Sequence, residues 1–137
     1  MTLDDAITRA KRVYIIGNGG SYANAHHLCN DLLSCGIRAY TIDPATLSAF
    51  ANDSGWEYAL ARWLGVVGEP GDLLLAMSGS GRSENILLAI EQAKELGMAV
   101  YKIFGNERGE DMQEAEESQL IMGHEVYRAH QRRLNLV

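Results

Sequence analysis

The chain has 137 residues, 47% of them apolar and 22% charged, with a formal net charge of −6. That length suits a single domain, residues 1–137, with room for a sizeable core. The acidic balance argues against a nucleic-acid surface, which needs a basic face, and no apolar run approaches the ~20 residues of a membrane span.

The opening stretch MTLDDAITRAKR is polar and lacks the apolar core of a secretory signal, which points to the cytoplasm. A first strand is predicted at Val13–Ile16, stopping at the turn Gly17-Asn18-Gly19-Gly20. Ser21–Cys35 reads as an amphipathic helix, with Ala25, Leu28, Leu32 and Cys35 at three- and four-residue spacings and Gly36 able to end it. Cys29 and Cys35 are the only cysteines and form no CxxC, so they read as two reduced thiols. A second strand, Arg38–Ile42, leads into Asp43-Pro44. Two short helices follow, Thr46–Ala51 and Trp56–Leu64, broken at Asn52-Asp53-Ser54-Gly55. A third strand, Leu73–Met77, precedes the amphipathic helix Ser83–Leu96, and Val100–Phe104 is the fourth strand. Residues 108–117 predict an acidic surface helix, Gln119–Met122 a weaker fifth strand, and His124–Leu134 a last helix.

Near-continuous apolar strands alternating with helices imply parallel βαβ units with right-handed crossovers. The expected fold class is therefore α/β: a three-layer α/β/α sandwich around a flavodoxin-like five-stranded parallel sheet, order 2-1-3-4-5. In that order, ligands bind in the crevice at the C-terminal ends of strands 1 and 3. Two Gly/Ser loops flank that crevice, GNGGS at 17–21 and SGSGRS at 78–83. Glycines let backbone approach a ligand. Amides at the helix starts carry the positive end of the helix dipole. Arg82 is the only basic side chain in either loop.

Three readings compete. The loops are plain turns and helix caps, or a dinucleotide site, or a cradle for a phosphorylated sugar. A GxGxxG motif would need glycine at Tyr22, and Asp43 is explained by an Asp-Pro helix start as well as by a ribose contact. No GxxxxGK[ST] exists, so a Walker loop is excluded.

GNGGS at 17–21, AND-x-G at 51–55 and MSGSGRSENI at 77–86 resemble the sugar isomerase (SIS) domain, and within it are most similar to phosphoheptose isomerases. The resemblance runs from about Lys11 to Phe104. It implies that Ser78, Ser80 and Ser83 hold a sugar phosphate, with Gly79 where the isomerases carry threonine. It implies that Asn18, Gly19, Gly20 and Ser21 meet the substrate, and that Asn52 and Asp53 face the open-chain sugar. The isomerases use a glutamate on the helix after GNGGS and a histidine on the last helix. Related members bind zinc with these two and a histidine one turn before the glutamate. Carried over, the resemblance implies Asp31 as a shortened base and His27 as catalytic or, with Asp31, a zinc ligand, no cofactor being required otherwise. In the family's last helix a glutamine is followed by histidines three and eight residues on. His130 is the expected proton donor here, with His124 or Glu125 standing in for the glutamine. The resemblance further implies a homodimer or homotetramer, although the family's helical segment ahead of strand 1 is short in this chain. The expected activity is an aldose–ketose isomerisation of sedoheptulose 7-phosphate or a similar sugar phosphate. The alternatives are a non-catalytic phosphosugar-binding regulatory module and, more distantly, an NAD(P)-dependent oxidoreductase.

Overall fold

A computed structural model describes residues 1–133. Helix α1 (Leu3–Arg9) is opened by a capping box in which the Thr2 side chain and Asp5 satisfy each other's backbone amides. Strand β1 (Val13–Ile16) leads to α2 (Gly20–Ser34), and β2 is only Ala39–Tyr40. Helix α3 (Pro44–Ser54) starts with Pro44 in its first turn, and the Asp43 carboxylate accepts from the Ala45 amide at 2.8 Å. That cap accounts for Asp43 without a ribose. Helix α4 (Trp56–Val67), β3 (Leu73–Ser78), α5 (Glu84–Glu95) and β4 (Ala99–Phe104) follow. A 3-10 turn (Asn106–Arg108) then leads into α6 (Met112–Arg133).

The sheet is parallel throughout, in the order β2-β1-β3-β4. Ile15 sits opposite Leu75, and Leu75 opposite Tyr101. Because side chains alternate across a strand, each strand feeds two cores. Val13, Ile15, Leu73, Leu75 and Met77 pack on the side of α1, α2 and α6. Tyr14, Ile16, Leu74 and Ala76 pack with Leu60 and Leu64 of α4 and Ile86 and Ile90 of α5. Two covered faces explain why LLLAM reads as an unbroken apolar run.

The three-layer α/β/α arrangement and the 2-1-3-4 order agree with expectation; the fifth strand does not. Gln119–Met122 lies inside α6, which also joins the two separate helices expected at 108–117 and 124–134, residue 134 lying outside the described residues. The reason is periodicity. Ala115, Gln119, Gly123, Val126 and His130 are the buried positions, at steps of three and four. A short apolar run within a helical stripe imitates a strand when read alone. Among the described residues no helix is long and apolar enough to cross a membrane.

Helices α2 and α6 run parallel. Gly20 meets Glu116, Ser21 meets Gln119, His27 meets His124, and Cys35 meets Tyr127. Gly123 permits the approach, since a Cβ there would stand 3.2 Å from Leu28.

Candidate functional site

The two Gly/Ser loops lie at the C-terminal ends of β1 and β3, which are adjacent strands. They are tied together by side chains. Asn18 Nδ2 donates to Asn85 Oδ1 at 3.0 Å, and Asn85 Nδ2 donates back to Asn18 Oδ1 at 2.9 Å. Asn85 is 2% exposed and its Oδ1 also accepts from the Ile86 amide. Two reciprocal bonds in a buried setting fix the spacing of the loops. Asn85 was not singled out from sequence; its signal was a polar residue on the buried face of α5.

Local chemistry shapes each loop. A Cβ on Gly17 would stand 2.7 Å from the Ser21 carbonyl, so the chain turns there only with glycine. Gly19 caps α2 at φ +55° with open space beside it. Ser78 Oγ accepts from the Gly81 amide at 2.9 Å, and Ser80 Oγ from the Arg82 amide at 3.2 Å. Ser83 is the N-cap residue of α5 but its side chain makes no capping bond, leaving that hydroxyl uncommitted to the helix. Ser21 is 2% exposed, and its Oγ accepts from Gln119 Nε2 at 3.0 Å. Ser21 is thus a tie between α2 and α6.

The first two turns of α6, with the 3-10 turn before it, lie over both loops. Met112 Sδ occupies the space a side chain on Gly79 would need, and the Asn106 amide does so at Gly81. That accounts for Gly79 where a threonine was expected: the methionine thioether fills its place. The Glu116 carboxylate lies in the same way against Gly20.

Further along α2, His27 Nε2 is 3.0 Å from His124 Nε2 and 3.5 Å from Asp31 Oδ2. One donor atom from each of the three lies within 4.8 Å of the others. Residues 27 and 31 are one turn apart on one helix face, and the parallel course of α6 brings His124 to them. Asp31 Oδ2 is buried and has no hydrogen-bond partner. A buried carboxylate oxygen facing two imidazoles is an unsatisfied donor set. Two imidazole nitrogens and one carboxylate also match the ligands of a divalent zinc site with a fourth position open.

The structure brings His124, and not His130, to His27 and Asp31. His130 is six residues further on, which turns it about 240° around the helix axis. Its Nε2 is 2.7 Å from Asp4 of α1, and it lines a separate cavity of about 470 Å³ with Lys11, Cys35 and Arg38. The family pattern, a glutamine with histidines three and eight residues on, runs through α6 as Glu116, Gln119 and His124. Glu125 is exposed. Asn52 and Asp53 lie on the exposed last turn of α3, where Asp53 turns to Arg62 of α4 at 3.7 Å. Burial pushes the thiols of Cys29 and Cys35 above their ordinary pKa, Asp31 adding to the effect at Cys35. Both therefore remain neutral and poor nucleophiles.

Comparison with known proteins places these features in a wider set. The family model described as SIS domain matches residues 2–105. A phosphoheptose isomerase of Campylobacter concisus is 38% identical over 128 residues, 87% of this chain and 67% of the relative. One of Akkermansia muciniphila is 37% identical over 120 residues, 82% of this chain and 64% of the relative. The chain thus spans roughly two thirds of the length of these curated relatives. Among solved structures, a phosphoheptose isomerase from Francisella tularensis superposes with a TM-score of 0.84 at 25% identity, over 94% of this chain and 82% of that one.

Proposed function

Since this chain belongs to the SIS domain family, we propose that it binds a phosphorylated sugar and isomerises it between ketose and aldose, with sedoheptulose 7-phosphate the first substrate to test. The observation that carries this reading is the cluster of His27, Asp31 and His124 on the two helices that also border the glycine loops. Loops of this kind offer helix-start amides and hydroxyls to a phosphate ester. Ser78, Ser80 and Ser83 supply the hydroxyls, and Arg82 the one positive side chain.

The reaction moves a proton between adjacent carbons through an enediol. Asp31 takes the proton from C1 of the ketose while an imidazole protonates the oxygen on C2. The hydroxyl proton on O1 then returns to the imidazole, and Asp31 delivers its proton to C2, giving the aldose. His124 is the proton carrier on oxygen, and His27, between the two, sets their spacing. Zinc held by His27, Asp31 and His124 would polarise the two sugar oxygens. Asp31 is a methylene shorter than the family's glutamate, and a misplaced base can cost on the order of 100-fold in rate. Leu33 of α2 and Leu120 and Ile121 of α6 are exposed. That apolar surface supports self-association as a dimer or tetramer. Reduced buried thiols suit the cytoplasm.

The second reading is a regulatory module that binds the sugar phosphate without turning it over. The coverage of Gly79 by Met112 favours it, since a hydroxyl contact to phosphate is lost there. Both readings share the loop. Ser80→Ala is expected to weaken sedoheptulose 7-phosphate binding by about tenfold in calorimetry, the loss of one hydrogen bond to a charged group. Unchanged affinity would remove the 78–83 loop from the site.

A further inference from the structure

The cavity of about 470 Å³ beside His130 lies at the other end of the sheet from the crevice. Lys11 stands just before β1, Arg38 just before β2 and Gly36 just after α2, whereas the crevice opens where β1 and β3 end. Ile7, Ala10 and Ile37 give the cavity an apolar wall. Lys11, Arg38 and His130 make it basic, and no acidic side chain lines it. Lys11 and Arg38 are exposed, and neither pairs with a carboxylate among the described residues. His130 is 6% exposed; its Nε2 meets Asp4, which is not in the lining, and its Nδ1 is the second polar atom of the ring. None of these residues takes part in the isomerisation proposed above.

We propose that this cavity is a second ligand site, for a small organic monoanion: a carboxylate on a short hydrocarbon body. Unpaired cations beside an apolar wall select a ligand that has both parts. The Arg38 guanidinium matches the two oxygens of a carboxylate, and Lys11 adds a point charge. Ile7, Ala10 and Ile37 take the hydrocarbon out of water. The volume falls within the roughly 300–1,000 Å³ of small-molecule sites. A phosphate fits less well. The cavity sits at the carbonyl end of α2, where the helix dipole is negative. The amides of Cys35, Gly36 and Ile37 there are already spent on the carbonyls of Leu32 and Leu33. A dianion therefore finds none of the free helix-start amides that hold a phosphate elsewhere. A carboxylate carries one charge and is served by the side chains alone.

The test is calorimetry on the full chain with three probes: hexanoate, hexanol and inorganic phosphate. Hexanoate is expected to bind saturably, and about tenfold or more tighter than hexanol, which has the body without the charge. Arg38→Gln and Lys11→Gln, at exposed positions where folding is not at stake, should each weaken hexanoate by about tenfold, the loss of one contact to a charged group. Ser80→Ala should leave hexanoate binding unchanged, and sedoheptulose 7-phosphate should not displace it. In each of these variants inorganic phosphate is not expected to compete with hexanoate. The inference is overturned if hexanoate does not saturate, if hexanol binds as well, if both cation variants keep the wild-type affinity, or if the sugar ester competes. A chain that binds hexanoate in this way but not the ester would keep this site and lose the sugar phosphate reading.

Discussion

His124→Ala is expected to lower turnover of sedoheptulose 7-phosphate by about 10²- to 10⁴-fold, the range for loss of a positioned proton carrier. Binding of the same ester should change little, because the proposed phosphate seat is the 78–83 loop and not α6. The split between rate and affinity is what distinguishes a proton carrier from a binding group. His130→Ala serves as the contrast. His130 is buried against Asp4 at 2.7 Å, so its loss removes a buried contact between α6 and α1. The cost should appear as a lowered unfolding midpoint, with less effect on turnover than at His124. A His130 variant that loses turnover while His124→Ala retains it would move the chemistry to the α1 side of α6.

Leu75→Ala is expected to cost about 2–5 kcal/mol of stability, read from urea unfolding followed by circular dichroism. Leu75 is fully buried at the centre of β3, between Ile15 of β1 and Tyr101 of β4. Its side chain belongs to the core under α1, α2 and α6. A cavity there loosens the seat of the helices that carry His27, Asp31 and His124, so turnover should fall with stability. A loss below about 1 kcal/mol would mean that the sheet does not hold that layer as tightly as its packing implies.

Much of this arrangement was legible in the sequence, for local reasons. Strands covered on both faces are apolar at every position, so VYII and LLLAM announced themselves. Glycine turns are dictated within a few residues: Gly17 is required by Ser21, four positions on. Asp43-Pro44 likewise wrote its own helix start. The losses came where tertiary contact decides. QLIM looks like a strand because four residues cannot show a helical period. Its place in α6 follows from a buried stripe reaching from Ala115 to His130. Met112 and Glu116 were invisible as neighbours of the loops, because they reach Gly79 and Gly20 from the far end of the chain.

The cluster of His27, Asp31 and His124 shows the same division. His27 and Asp31 were found because they lie one turn apart on one helix. Read alone, the tail offers His130 as their partner and His124 or Glu125 in place of the glutamine, because the glutamine position holds Glu116. Only the parallel packing of α2 and α6 shows that His124 is the histidine at their height.

The proposed activity of this crevice and cluster is an isomerisation. Incubating the chain with sedoheptulose 7-phosphate in deuterated water, with and without added zinc, and following the sugar by proton NMR tests it most directly. The expected result is appearance of an aldose phosphate, with deuterium entering at C1 and C2 as protons pass through the enediol, and loss of both signals in His124→Ala. Saturable binding of the ester with no aldose and no deuterium exchange under either condition would contradict it and leave the protein a sugar phosphate receptor.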